Sequence, residues 1–168
     1  MGFDHKRIYL VIGLLLLSLI TGCAEIQYVK DAPEKVKAAD WSKMQTITVS
    51  LTEYKFTPSE LSFRKDIPYR LILKNEGREK HYFVSEGFFR AIALRKVQTS
   101  DGEIKAPYIT AVEVYPEKSV EIYFIPDKLG TYDLICTIEG HADKGMRGKI
   151  EIKDGELKAP EMRWPYRY

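Results

Sequence analysis

From Thr46 onward, apolar and polar residues alternate with a period of two, the pattern of strands that bury one face. Residues 46–52 place Ile47, Val49 and Leu51 on one side and hydroxyl side chains on the other. After a turn over residues 53–58, Leu61 and Phe63 mark a short strand. The next strand, residues 68–74, stops at the turn signal Asn75-Glu76-Gly77. Residues 80–84 are short, aromatic and β-prone, which sets His81 at the start of a strand. Residues 86–97 break the alternation. Phe88, Phe89, Ile92 and Val97, with Ala91 and Ala93, fit a short helix that turns Arg90, Arg95 and Lys96 outward, and residues 99–107 read as loop. Strand patterning resumes over residues 108–114, 120–125, 131–136 and 149–153. Short strands with turn signals every 8–12 residues predict an all-β, Greek-key sandwich or barrel with one short helical insertion.

The two ends do not follow this pattern. His5-Lys6-Arg7 precede an apolar run of thirteen residues, Ile8 to Ile20, shorter than the roughly 20 needed to cross a bilayer. The run ends in Leu19-Ile20-Thr21-Gly22-Cys23, which resembles the lipobox of bacterial lipoproteins. That resemblance implies a signal peptide over residues 1–22, lipid on Cys23, and an extracytoplasmic protein anchored to a bacterial membrane. Residues 23–44 are rich in Lys, Glu and Asp and read as a membrane tether; about 20 flexible residues would reach roughly 25 Å. The alternative is that Trp41 and Met44 pack on the domain, whose span is residues 45–153. Residues 154–168, with Pro160 and Pro165, read as a C-terminal extension.

Composition adds little except through cysteine. At 168 residues and a net charge of +2, the chain allows one domain with appendages and carries no nucleic-acid-binding motif. Of two cysteines, lipidation of Cys23 would leave Cys136 as a lone thiol. In an oxidising compartment such a thiol is a liability unless buried or bound to metal.

The segment after Cys136 explains that thiol. Cys136, His141 and Met146 follow one another with four residues between each pair, in a loop joining two strands and supplied with Gly140, Gly145 and Gly148. Thiolate, imidazole and weak thioether together suit copper, provided a second imidazole arrives from elsewhere. His81 is the only other histidine outside the extreme N-terminus.

Phe56-Thr57-Pro58, residues 71–75, His81-Tyr82-Phe83, Gly130-Thr131-Tyr132 and the loop from Cys136 through His141 to Met146 resemble the cupredoxin family of type 1 blue copper proteins, in particular its rusticyanin- and sulfocyanin-like members. The resemblance covers roughly residues 46–153. It implies one type 1 copper held by His81, Cys136 and His141 in the equatorial plane and by Met146 axially. It further implies a monomeric one-electron carrier, not an enzyme, that docks transiently with donor and acceptor proteins and passes electrons through the edge of His141. A copper chaperone or store delivering the ion to an oxidase is the alternative. Tyr82 departs from the pattern, because many relatives place there a small polar residue that bonds toward the cysteine sulfur. Glu139, Asp143 and Lys144 would give the rim around His141 a charged, salt-sensitive docking surface.

Overall fold

The computed structural model describes residues 28–154. Among them, two sheets pack face to face. One has the strand order β2-β1-β4-β9-β6-β7 and the other β3-β11-β10-β5-β8. The first comprises β1 (Gln45–Thr52), β2 (Lys55–Thr57), β4 (Tyr69–Asn75), β6 (Ile92–Thr99), β7 (Gly102–Ile104) and β9 (Ser119–Pro126). The second comprises β3 (Glu60–Arg64), β5 (His81–Val84), β8 (Ala111–Val114), β10 (Gly130–Ile135) and β11 (Arg147–Lys153). Most neighbours are antiparallel, but β1 runs parallel to β4 and β3 parallel to β11, so the chain crosses between sheets early.

The period-two alternation becomes the core directly. Val49, Leu51, Leu71, Leu73, Ile122 and Phe124 from the first sheet face Leu61, Phe63, Phe83, Leu134, Ile150 and Ile152 from the second. Phe63 lies at the centre, with ring centroids 4.9 Å from Tyr69, 5.2 Å from Phe124 and 5.5 Å from Phe88. Each such fully buried side chain contributes about 1.5–3 kcal/mol. Tyr69 keeps its polar end satisfied by accepting the Arg64 N–H at 3.0 Å.

Residues 99–107 are not all loop, since β7 pairs with β6 there, and two larger expectations are corrected. Only Glu86–Arg90 is helical (α2), and the chain then enters β6, which lies inside the first sheet beside β9. The register slips between Leu94 and Lys96, so Leu94 and Val97 both reach the core three positions apart. A β-bulge thus imitates helical spacing.

The second correction concerns residues 28–44, which pack on the domain and do not form part of a tether. Helix α1 (Ala32–Ala38), with Pro33 in its first turn, lies over the outer side of β6 and β9. Val29 and Ala32 join Ala93 and Ile125 in a small satellite cluster, flanked by Val36, Ala39 and Trp41. Lys35 bonds Asp127 at 2.9 Å, which raises its pKa above the usual lysine range against the opposing pull of burial. Trp41 donates Nε1–H to the Val36 carbonyl at 2.9 Å and lies under the Arg95 guanidinium, 4.3 Å from the ring centroid. Cys23, residues 1–22 and most of the 154–168 extension lie outside the described residues. Among the described residues, no helix is long and apolar enough to cross a membrane.

Candidate metal centre

Cys136 directly follows β10, and the loop after it closes on itself. The Cys136 N–H donates to the Met146 carbonyl at 3.1 Å, while Met146 donates to the His141 carbonyl at 2.9 Å and His141 to that of Ile138 at 3.0 Å. Gly140 and Gly145, at φ of 74° and 106°, occupy the left-handed region that this turning backbone requires. His81 opens β5 opposite Val114 of β8, and β5 meets β10 through the pair Val84 and Ile135. The sheet thereby brings a histidine 55 positions upstream to the cysteine.

One potential ligand atom from each of His81, Cys136 and His141 lies within 4.8 Å of the others. Sγ of Cys136 is 3.6 Å from Nδ1 of His141, and the two imidazole centroids are 5.3 Å apart. His81 and Cys136 are fully buried and His141 is 3% exposed. Met146 is also fully buried, in the same cluster as Cys136. All four residues singled out in the sequence therefore converge at one end of the sandwich. Cys23 lies outside the described residues.

The donor set fits a copper ion on two grounds. Neither ring nitrogen of His81 has a hydrogen-bond partner, although the side chain is wholly enclosed. Buried polar atoms are almost always satisfied, so a pair left orphaned beside a thiol and a second imidazole marks a ligand position. One thiol and two imidazoles, with Met146 tied by backbone hydrogen bonds to both Cys136 and His141, also form the soft Cys-His-His-Met set that suits copper. Burial holds the His81 pKa below its usual value, since a cation there would lose its hydration; His141 adds to the effect, and Glu53 and Glu79 oppose it.

The surroundings of the ligands supply what Tyr82 was expected to lack. Its backbone N–H donates to Sγ of Cys136 at 3.4 Å, so the thiolate receives a hydrogen bond whatever the side chain. Over the imidazoles sits a group of residues that sequence reasoning missed as functional. Glu79 Oε2 is 3.0 Å from Nε2 of His141, and Glu53 Oε1 is 3.7 Å from Nε2 of His81, too long for a hydrogen bond. Tyr54 packs edge-on against His141 with centroids 4.8 Å apart. Lys144 bonds the Tyr54 hydroxyl at 2.9 Å and lies 4.2 Å from its ring centroid. The edge of His141 is therefore covered by Glu79 and Tyr54. Of the expected rim charges, Lys144 takes part in this cover, whereas Asp143 turns to Arg147 at 3.5 Å. No local motif could have signalled these residues, since Tyr54 and Glu79 meet His141 across more than sixty residues and Glu53 reaches His81 only through the fold.

A two-sheet sandwich with a buried Cys-His-His-Met cluster defines the cupredoxin class. The cupredoxin-like domain family model matches residues 31–152, and the chain belongs to that family. A curated relative, the copper-resistant cuproprotein CopI of Rubrivivax gelatinosus, is 29% identical over 121 residues, covering 70% of this chain and 72% of its own. Solved structures with the same fold include a multicopper oxidase of Pseudomonas thermotolerans, at 18% identity and a TM-score of 0.54 over 68% of this chain. The McoA multicopper oxidase of Aquifex aeolicus aligns at 16% identity and a TM-score of 0.53, also over 68% of this chain. The chain spans less than a third of either oxidase, 31% and 30% respectively.

Proposed function

We propose that this protein is a membrane-tethered carrier of single electrons outside the cytoplasm, built on one type 1 copper held by His81, Cys136 and His141 with Met146 as the axial ligand. The observation that carries this reading is the enclosed triad of ligand atoms within 4.8 Å of one another, with both ring nitrogens of His81 left unpartnered. When bound, copper would supply reversible one-electron chemistry between Cu(I) and Cu(II). The chain's own part is to hold the donors still. Cys136 and Met146 are joined by a backbone hydrogen bond, and His81 is fixed in a sheet, so the donors have little room to rearrange when charge changes.

In this reading the chain is not itself an enzyme, and its partners are a reduced donor protein and an oxidised acceptor protein that dock transiently with a monomer. With Glu79 and Tyr54 over His141, electrons would pass through that cover. Lipid on Cys23 would anchor the domain. Tyr28, five residues beyond Cys23, stacks on Tyr108 of the domain at 4.1 Å between ring centroids.

A second reading, copper handling for resistance or delivery, is favoured by the similarity to a copper-resistant cuproprotein. Burial of the triad weighs against it, since delivery needs an exchangeable ion. Adding Cu(II) to purified metal-free protein separates the two. The carrier reading expects an intense visible charge-transfer band and a reversible couple, both abolished by Cys136→Ala. A colourless site that yields Cu(I) to a chelator within seconds would favour handling, and an unchanged spectrum in Cys136→Ala would refute the ligand assignment.

A further inference from the structure

His141 has its two ring nitrogens in different surroundings. Nδ1 lies 3.6 Å from the Cys136 sulfur, and Nε2 lies 3.0 Å from a carboxylate oxygen of Glu79. An ionised carboxylate can only accept, so in the neutral imidazole this contact requires the proton on Nε2 and leaves the Nδ1 lone pair facing the thiol. Tyr54, edge-on to the ring, limits its rotation.

Glu79 is itself held from both sides of its backbone. Its N–H donates to Glu53 Oε1 at 2.8 Å, and its carbonyl accepts from Asn75 Nδ2 at 2.8 Å. Asn75 is 1% exposed, and the same Nδ2 donates to the carbonyl of Val114, the residue opposite His81 in the sheet. Gly77 completes the turn: its N–H reaches Asn75 Oδ1 at 2.9 Å, and a Cβ at this position would lie 2.5 Å from the Glu53 carboxylate. A freely placed surface carboxylate would have none of these constraints. The side chain of Glu79 is 56% exposed, yet its backbone is pinned and its carboxylate lies against a buried imidazole.

We propose that Glu79 is a positioning residue for the metal centre: its carboxylate fixes His141 in the Nε2–H tautomer with Nδ1 presented as the ligand atom, and its charge favours Cu(II) over Cu(I) there. The inference deepens the copper reading and rests on it for its second half only. A carboxylate bonded to the far nitrogen of a ligand imidazole makes that imidazole a stronger donor, and loss of such a partner typically costs 10–100-fold in metal affinity. If about tenfold of this falls selectively on Cu(II), the potential rises by about 59 mV.

The test compares the wild type with Glu79→Gln and Glu79→Ala. In metal-free protein at about pH 8, above the imidazole range, 15N shifts of the His141 ring report its tautomer. The wild type should show Nε2–H alone. Glu79→Gln, whose amide oxygen can still accept, should keep that tautomer, and Glu79→Ala should show a mixture of the two. In copper-loaded protein, redox titration should give the lowest potential for the wild type, with the Cu(II)-to-Cu(I) affinity ratio down about tenfold in Glu79→Ala and by a smaller factor in Glu79→Gln. A single Nε2–H tautomer in Glu79→Ala would overturn the positioning role, and equal potentials in all three would overturn the electronic one. If the wild type gave no copper spectrum, the copper reading would fail instead, while the tautomer result in metal-free protein would still decide the positioning role.

Discussion

His81 should make the metal-free protein less stable than it would be with a hydrocarbon in the same place. The side chain is fully enclosed, and neither ring nitrogen has a partner. A neutral imidazole carries one donor and one acceptor, and each buried group left unsatisfied costs about 1–3 kcal/mol. His81→Leu removes both groups while keeping a similar volume, with less than about 1.5 kcal/mol lost to imperfect repacking. Glu53, the nearest carboxylate, keeps the N–H groups of Arg78 and Glu79 at 2.6 and 2.8 Å and is not abandoned by the change. The metal-free variant should therefore be more stable than the wild type by about 0.5–6 kcal/mol, with the melting temperature raised by about 3–5 °C per kcal/mol. Copper should shift the balance back toward the wild type. At a free concentration a hundred times the dissociation constant, a ligand adds about 2.7 kcal/mol, which the wild type would gain and the variant would not. Urea denaturation with chelator and with copper measures both differences. A metal-free His81→Leu protein less stable than the wild type would mean that the ring nitrogens are satisfied, and the case for an ion between these side chains would lose its main support.

The same residue sets a pH dependence. The folded-state pKa of His81 is lowered, chiefly by burial and further by His141, with Glu53 and Glu79 opposing, so the unfolded chain binds its proton more readily. Stability of the metal-free protein should be fully present above about pH 6.5 and be lost as pH falls from there toward the depressed folded value. The lowered pKa of Glu53, caused first by the Glu79 N–H, makes its own contribution only below about pH 4.5. His81→Leu should flatten the upper slope in denaturation curves taken across that range, and an unchanged slope would assign it to other groups. Trp41→Ala tests the packed N-terminal segment: loss of its contacts with the satellite cluster and with Arg95 should cost about 2–3 kcal/mol, below the range for a fully buried tryptophan. A change within about 0.5 kcal/mol would be the behaviour of an exposed tether.

What the sequence made legible follows from how far each signal extends along the chain. The alternations of β1, β4 and β9 are local and became buried faces of those strands. The Cys136, His141 and Met146 spacing is equally local, and one upstream histidine remained to complete the cluster. Failures began where the pattern depended on a neighbour. The phase of β6 changes at a bulge against β9, so residues 92–97 did not keep the alternation by which the other strands were read. The apolar positions of residues 28–44 are sparse among charges and acquire meaning only because Ala93 and Ile125 form a seat for them. The cover over His141 is the extreme case. It draws on Glu53 and Tyr54 from the β1–β2 turn, Glu79 from the turn before β5, and Lys144 from the metal loop, three segments that meet only when the sandwich closes. Residues that would grip an ion must lie close together and are confined to few chemical types, so they leave a mark on the sequence. Those that tune the grip can come from any loop at that end of the fold and use common surface residues, so they leave none.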